Sequence, residues 1–162
     1  MRRIFVTIAA LVLLTACETQ TGGAGGSRGA GGAGGSGGSG GYSGMSSQQE
    51  LVAKIGDRIF FNLNSYKIRA DAQKILQAQA TWLKQQSSLN ITIEGHCDER
   101  GTREYNLALG ERRANAVKDY LVALGVPTSR IMTISYGEER PVALGHNDAA
   151  WTQNRRGVTK VN

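Results

Sequence analysis

Apolar positions recur along residues 48 to 162 with two different periods. Asp57-Arg58-Ile59-Phe60-Phe61 is a short run of β-formers, and Ile91-Thr92-Ile93-Glu94 alternates apolar with polar, the period of a strand with one buried face. Between them, from Arg69 to Gln86, Ala72, Ile75, Leu76, Trp82 and Leu83 stand at helical spacing. A second helix is predicted from Glu104 to Leu124, where Leu107, Gly110, Ala114, Val117, Leu121 and Leu124 fall at steps of three and four, with Gly125 as its stop. Ile131 to Tyr136 is a third strand, Asp148 to Asn154 a short helix with Asp148 as its cap, and Gly157 to Val161 a last strand. The order strand, helix, strand, helix, strand, short helix, strand predicts a two-layer α/β sandwich (α+β) with the helices on one face of a mixed sheet. Trp82 and Trp151, in apolar surroundings, are expected to pack rather than to stack on a ligand.

The residues before this domain have another character. Arg2 and Arg3 lead into the apolar run Ile4 to Leu14 and then into small residues ending at Cys17, the pattern of an export signal over residues 1 to 16. The run falls short of the ~20 apolar residues that a spanning helix needs. From Gly22 to Gly44 the chain is almost wholly Gly, Ser and Ala, too poor in apolar side chains to order itself. Residues 17 to 47 therefore read as a tether, with an r.m.s. span of roughly 30 Å. The net charge is +6, from 19 basic and 13 acidic side chains; loss of residues 1 to 16 removes Arg2 and Arg3 and no acid, leaving +4. For an exported chain, such mild basicity points away from nucleic acid and toward an anionic wall polymer or an acidic partner protein.

Chemistry concentrates in one turn, His96-Cys97-Asp98-Glu99-Arg100, between the second strand and the second helix. His96 and Cys97 are neighbours on extended chain, so their side chains point to opposite faces and do not form a thiolate–imidazolium pair. A Cys97 nucleophile would need His146 instead. Four consecutive potential ligands do not converge as structural zinc requires, and no cofactor motif is present. Asp98 and Glu99, side by side, are poorly placed to face one another across a sugar ring. Binding fits better: Asp98 accepting from an ammonium and Arg113, on the helix, holding a carboxylate would suit a zwitterion. Pattern alone leaves open the alternatives that Asp98 and Arg113 pair with each other or that Asp98 caps the helix.

The stretch Gly95 to Thr102, Glu104-Tyr105-Asn106 and Leu109 to Val117 closely resembles the signature of the OmpA-like carboxy-terminal domain, and within that family its peptidoglycan-associated lipoprotein branch. Ser135 to His146 and Asn154 to Val158 continue the likeness, which covers the domain from 48 to 162. Leu14-Thr15-Ala16-Cys17 resembles a lipobox, which implies lipidation at Cys17, with Glu18 after it leaning toward the outer membrane. The resemblance implies a non-enzymatic domain that binds peptidoglycan through diaminopimelate, with Asp98 for the ammonium and Arg113 for the carboxylate. Arg100 and Leu109 match further lining positions. It also implies TolB and other Tol proteins as partners in division and envelope integrity. Two departures stand out: Cys97 replaces the family's Ala, and Asn64 stands where the family has Asp. Gly101 is expected to permit the reversal that brings the turn and the helix to one crevice.

Overall fold

A computed structural model describes residues 44–162. The export signal, Cys17 and the tether up to residue 43 lie outside the described residues. In chain order the elements are α1 (Ser47–Glu50), β1 (Arg58–Phe60), α2 (Ala70–Gln85), β2 (Ile91–His96), α3 (Arg103–Ala123), β3 (Ile131–Gly137), α4 (Asp148–Asn154) and β4 (Arg156–Val161). Every element expected from periodicity is present, with no end moved by more than two residues. Two caps decide such ends. The Thr102 hydroxyl accepts from the Tyr105 N–H at 3.2 Å and starts α3, so Asp98 is not that helix's cap. Asn147, not Asp148 as expected, caps α4 by accepting from the Ala150 N–H at 3.0 Å; Asp148 is already inside the first turn, where its charge suits the helix dipole. Gly125, at φ 92°, ends α3 as expected.

The sheet runs β1-β4-β2-β3, antiparallel except for the parallel pair β2 and β3. On one face α2 and α3 bury Leu76, Leu83, Ala114, Val117 and Leu121 against Ile59, Ile91 and Ile93. The buried amide of Gln79 on α2 is satisfied: it donates to the Gly56 carbonyl at 2.7 Å and accepts from the Thr159 hydroxyl at 2.9 Å. Gly95 on β2 and Gly110 on α3 let helix and strand touch backbone to backbone, since a Cβ built on Gly95 would lie 1.8 Å from the Gly110 carbonyl oxygen. That contact fixes the height of α3 over the end of β2, where the charged turn begins.

Candidate functional site

The chain leaves β2 after His96, turns through Cys97 to Arg100, and reverses at Gly101, whose φ of +112° is the left-handed conformation glycine adopts without strain. The reversal brings the turn against the middle of α3. Asn64, Asp98, Arg100, Leu109 and Arg113, the residues singled out from sequence, meet with Leu63, Cys97, Asn106 and Arg155 around one crevice, which in this closed form has no room for a water molecule. Asp98 and Arg113 are both buried, and no hydrogen bond joins them.

Asp98 is 4% exposed and its carboxylate is fully engaged. One oxygen accepts from the Arg100 backbone N–H and Nε, both at 3.2 Å; the other accepts from Arg100 Nη2 at 2.7 Å and Arg155 Nη1 at 3.0 Å. These four bonds match the roughly four lone-pair directions a carboxylate has. Burial pushes this carboxyl's pKa up, but the guanidinium bonds from Arg100 and Arg155, with the Arg100 backbone N–H and the Arg100 charge, hold it below the ordinary value.

Arg113 is 1% exposed, the largest fully buried side chain described. Its Nε donates to the Ser65 carbonyl at 2.9 Å, Nη1 to the His96 carbonyl at 2.7 Å and Cys97 Sγ at 3.3 Å, and Nη2 to the Asn62 carbonyl at 3.1 Å. Its guanidinium carbon lies 5.1 Å from the Phe61 ring centroid. Burial lowers the pKa of this group, with Cys97 and Asp98 opposing the shift. The guanidinium thus laces the β1–α2 connection to the end of β2. Of its five N–H groups, four have protein acceptors, and one on Nη2 remains for anything in the cavity. Asn64 forms a corner of that wall at φ 50°, a left-handed backbone that Asn and Asp both tolerate.

Arg100 closes the cavity. Beyond it lies an open groove of about 480 Å³ lined by Leu63, Asn64, Gly101, Thr102, Tyr105 and Arg100 itself. Leu63 and Tyr105 are 49% and 40% exposed, giving the groove an apolar wall beside the charged turn. Arg100 rests with its guanidinium carbon 4.1 Å from the centroid of the Trp151 ring. Trp151 is therefore not simply the packing residue expected from its neighbours. Arg155 and Trp151, neither of them expected at the site from sequence, both come from the α4 end, more than fifty residues from the turn; Arg155 lies in the Asn154 to Val158 stretch of the family likeness, which by itself assigns it no contact.

The cysteine and the histidines are otherwise engaged. Cys97, 3% exposed, donates from Sγ to the Asn106 carbonyl at 3.3 Å, and burial pushes its thiol pKa up. His96 faces away from it, stacked on Tyr136 with ring centroids 5.5 Å apart, as the strand alternation predicts. His146 Nδ1 sits 2.8 Å from both oxygens of Glu99. Among the described residues no three His, Cys, Asp or Glu side chains converge to hold a metal ion, and no helix is long and apolar enough to cross a membrane.

Residues 60–155 match the OmpA family. The chain is 60% identical to the peptidoglycan-associated lipoprotein of Brucella melitensis over 116 residues, covering 72% of this chain and 69% of that one. It is 59% identical to the protein of the same description from Agrobacterium fabrum, over 70% of this chain and 64% of the relative. Among solved structures, the peptidoglycan-associated lipoprotein from Burkholderia pseudomallei superposes with a TM-score of 0.66 at 40% identity, covering 69% of this chain and 99% of that one. The C-terminal domain of Helicobacter pylori MotB shares the fold, with a TM-score of 0.62 at 22% identity over 65% of this chain and 84% of that one.

Proposed function

We propose, from the premise that the chain belongs to the OmpA family and there to its peptidoglycan-associated lipoproteins, that the domain clasps peptidoglycan non-covalently. The ligand is the diaminopimelate of the stem peptide, and lipid on Cys17 ties the outer membrane to the wall, leaving the domain in the periplasm. The observation that carries this reading is the meeting of Asn64, Asp98, Arg100, Leu109 and Arg113 around one cavity, with acid and base buried and not bonded to each other. A buried carboxylate offers charge-assisted bonds to an ammonium, and guanidinium N–H groups offer them to a carboxylate. Because four donors already saturate Asp98, an incoming ammonium replaces the Arg100 side chain, which swings toward the outer groove and is then free to meet the ligand's carboxylate beside the remaining Nη2 N–H of Arg113.

TolB and the other Tol proteins are the protein partners this reading implies. The exposed apolar rim at Leu63 and Tyr105 supports a surface shared between wall peptide and a protein partner. Wall hydrolysis by Cys97 with a histidine finds less support: the thiol is buried with its pKa raised, and both imidazoles are held elsewhere.

Asp98 is the residue on which the reading is tested, because Arg113 ties together backbone carbonyls of two distant segments, whereas the backbone group Asp98 binds, the Arg100 N–H, lies in its own turn. Asp98→Ala is expected to abolish co-sedimentation with purified sacculi while the circular dichroism spectrum stays native. Retention of the variant on sacculi at wild-type level sinks the assignment.

A further inference from the structure

The Arg100 side chain does not reach Asp98 unaided. Its guanidinium lies over the Trp151 ring, 4.1 Å from the centroid. Trp151 is in turn pinned at its other end: indole Nε1 donates to Glu99 Oε1 at 2.7 Å, and the same carboxylate receives His146 Nδ1 at 2.8 Å. Three segments are thereby joined in one chain of contacts, the Asp98–Arg100 turn, the β3–α4 loop through His146, and α4 through Trp151. Glu99 adjoins Asp98 in sequence but has different partners, Trp151 and His146 rather than Arg100 and Arg155, so each carboxylate of the pair fixes one end of the assembly.

We infer that Trp151 is a positioning residue for the wall-peptide site: the ring Glu99 holds in place is the seat on which Arg100 rests while it covers Asp98, and it sets how readily the cavity opens. The inference rests on the proposed clasp for its functional meaning, but the seat itself is a property of the free protein. A ligand that binds only the uncovered form sees its affinity reduced by the fraction of molecules uncovered. A cation over an aromatic ring at a partly exposed site shifts such an equilibrium modestly, so loss of the ring is expected to tighten binding of a free diaminopimelate-containing tripeptide about two- to five-fold. Glu99→Gln, which weakens the pin but keeps the ring, gives a smaller gain, and Trp151→Phe, which keeps a ring but loses the Nε1–H pin, falls between Glu99→Gln and Trp151→Ala.

Two measurements separate this from a merely structural effect. In the free protein, the Nε–H of Arg100 is followed by ¹⁵N NMR: Trp151→Ala is expected to accelerate its exchange with water, and an unchanged rate overturns the inference whether or not any peptide binds. Calorimetric titration with the tripeptide then compares Trp151→Ala in wild-type and Arg100→Ala backgrounds. A gain in affinity present only with Arg100 supports the seat; equal effects in both backgrounds, or weaker binding by Trp151→Ala, overturn it. Failure of the wild-type domain to bind either tripeptide or sacculi counts against the proposed function alone, and the exchange rate still decides the role of Trp151.

Discussion

At the scale of single residues, the sheet carries an imidazole that folding holds neutral. His96 is 2% exposed, and neither ring nitrogen has a hydrogen-bond partner; Glu94 Oε2, the nearest acid, is 3.5 Å from Nε2. Burial, then the charges of Arg156, Arg140 and Lys160, lower its pKa from 6.5 to about 3. Arg140 reaches this neighbourhood by lying over Tyr136, 3.6 Å from the ring centroid, on the residue that stacks against His96. A base whose folded pKa is depressed leaves the unfolded chain the better proton acceptor, so its contribution to stability is intact above pH 6.5 and is lost as pH falls toward 3. The carboxylates with lowered pKa values, Glu50, Asp71, Asp98 and Glu99, start from 4.5 or below, so the interval from pH 6.5 to 4.5 isolates the histidine. Urea denaturation should show a loss of about 2 kcal/mol across that interval. His96→Phe, which keeps a ring against Tyr136, should remove most of the slope; an unchanged slope would place the titration elsewhere.

At the scale of elements, the site depends on how closely α3 lies on β2. A methyl group on Gly95 would meet the Gly110 carbonyl oxygen at 1.8 Å and its carbon at 2.6 Å, and both are backbone atoms that no rotamer change can move. A strand ordinarily gains from Gly→Ala, by up to about 1 kcal/mol. Here the clash must lift the helix, and overpacking costs about 1–3 kcal/mol or more, so the net sign is a loss. Gly95→Ala is expected to lower the thermal midpoint by several degrees and to weaken sacculus binding as Arg113 is drawn away from the turn; a stabilised, fully binding variant would refute the contact. Periodicity made the strands and long helices legible, because one buried face leaves its spacing in the sequence whatever it packs against. The turn was legible as a cluster of charges, and its family likeness named the lining residues Asn64, Asp98, Arg100, Leu109 and Arg113. Their bonding was not legible. Arg155 and Trp151 reach the turn only through tertiary folding, and a capping amide at Asn147 is indistinguishable by pattern from the neighbouring Asp148. Nor does spacing reveal that Arg113 bonds three backbone carbonyls.

At the scale of the whole domain, the two ends of β2 have different tasks. Its last residue leads into the clasp, while its first, Ile91, pairs with Val161, whose N–H donates to the Gln48 side chain of α1 at 2.8 Å. Six residues of strand separate these points by roughly 16 Å, so the chain joins the domain at the end of the sheet away from the crevice. The stretch matched to the family begins only at residue 60, and the sequence reading took residues 48 to 56 as no element at all. Yet Ser46 and Gln49 form a reciprocal capping box, the Gly56 N–H returns to the Leu51 carbonyl at 2.8 Å, and Leu51 is wholly buried in the core. Its burial is worth several kcal/mol, since truncating a core leucine alone costs about 2–5 kcal/mol. Residues 57–162 without this segment would expose the core beneath Leu51 and leave the Val161 N–H without its acceptor. The shorter chain is expected to unfold at clearly lower urea concentration than residues 44–162, and Leu51→Ala in the longer chain should account for most of the difference. Equal midpoints for the two chains would mean that residues 44–56 ride on the domain without supporting it.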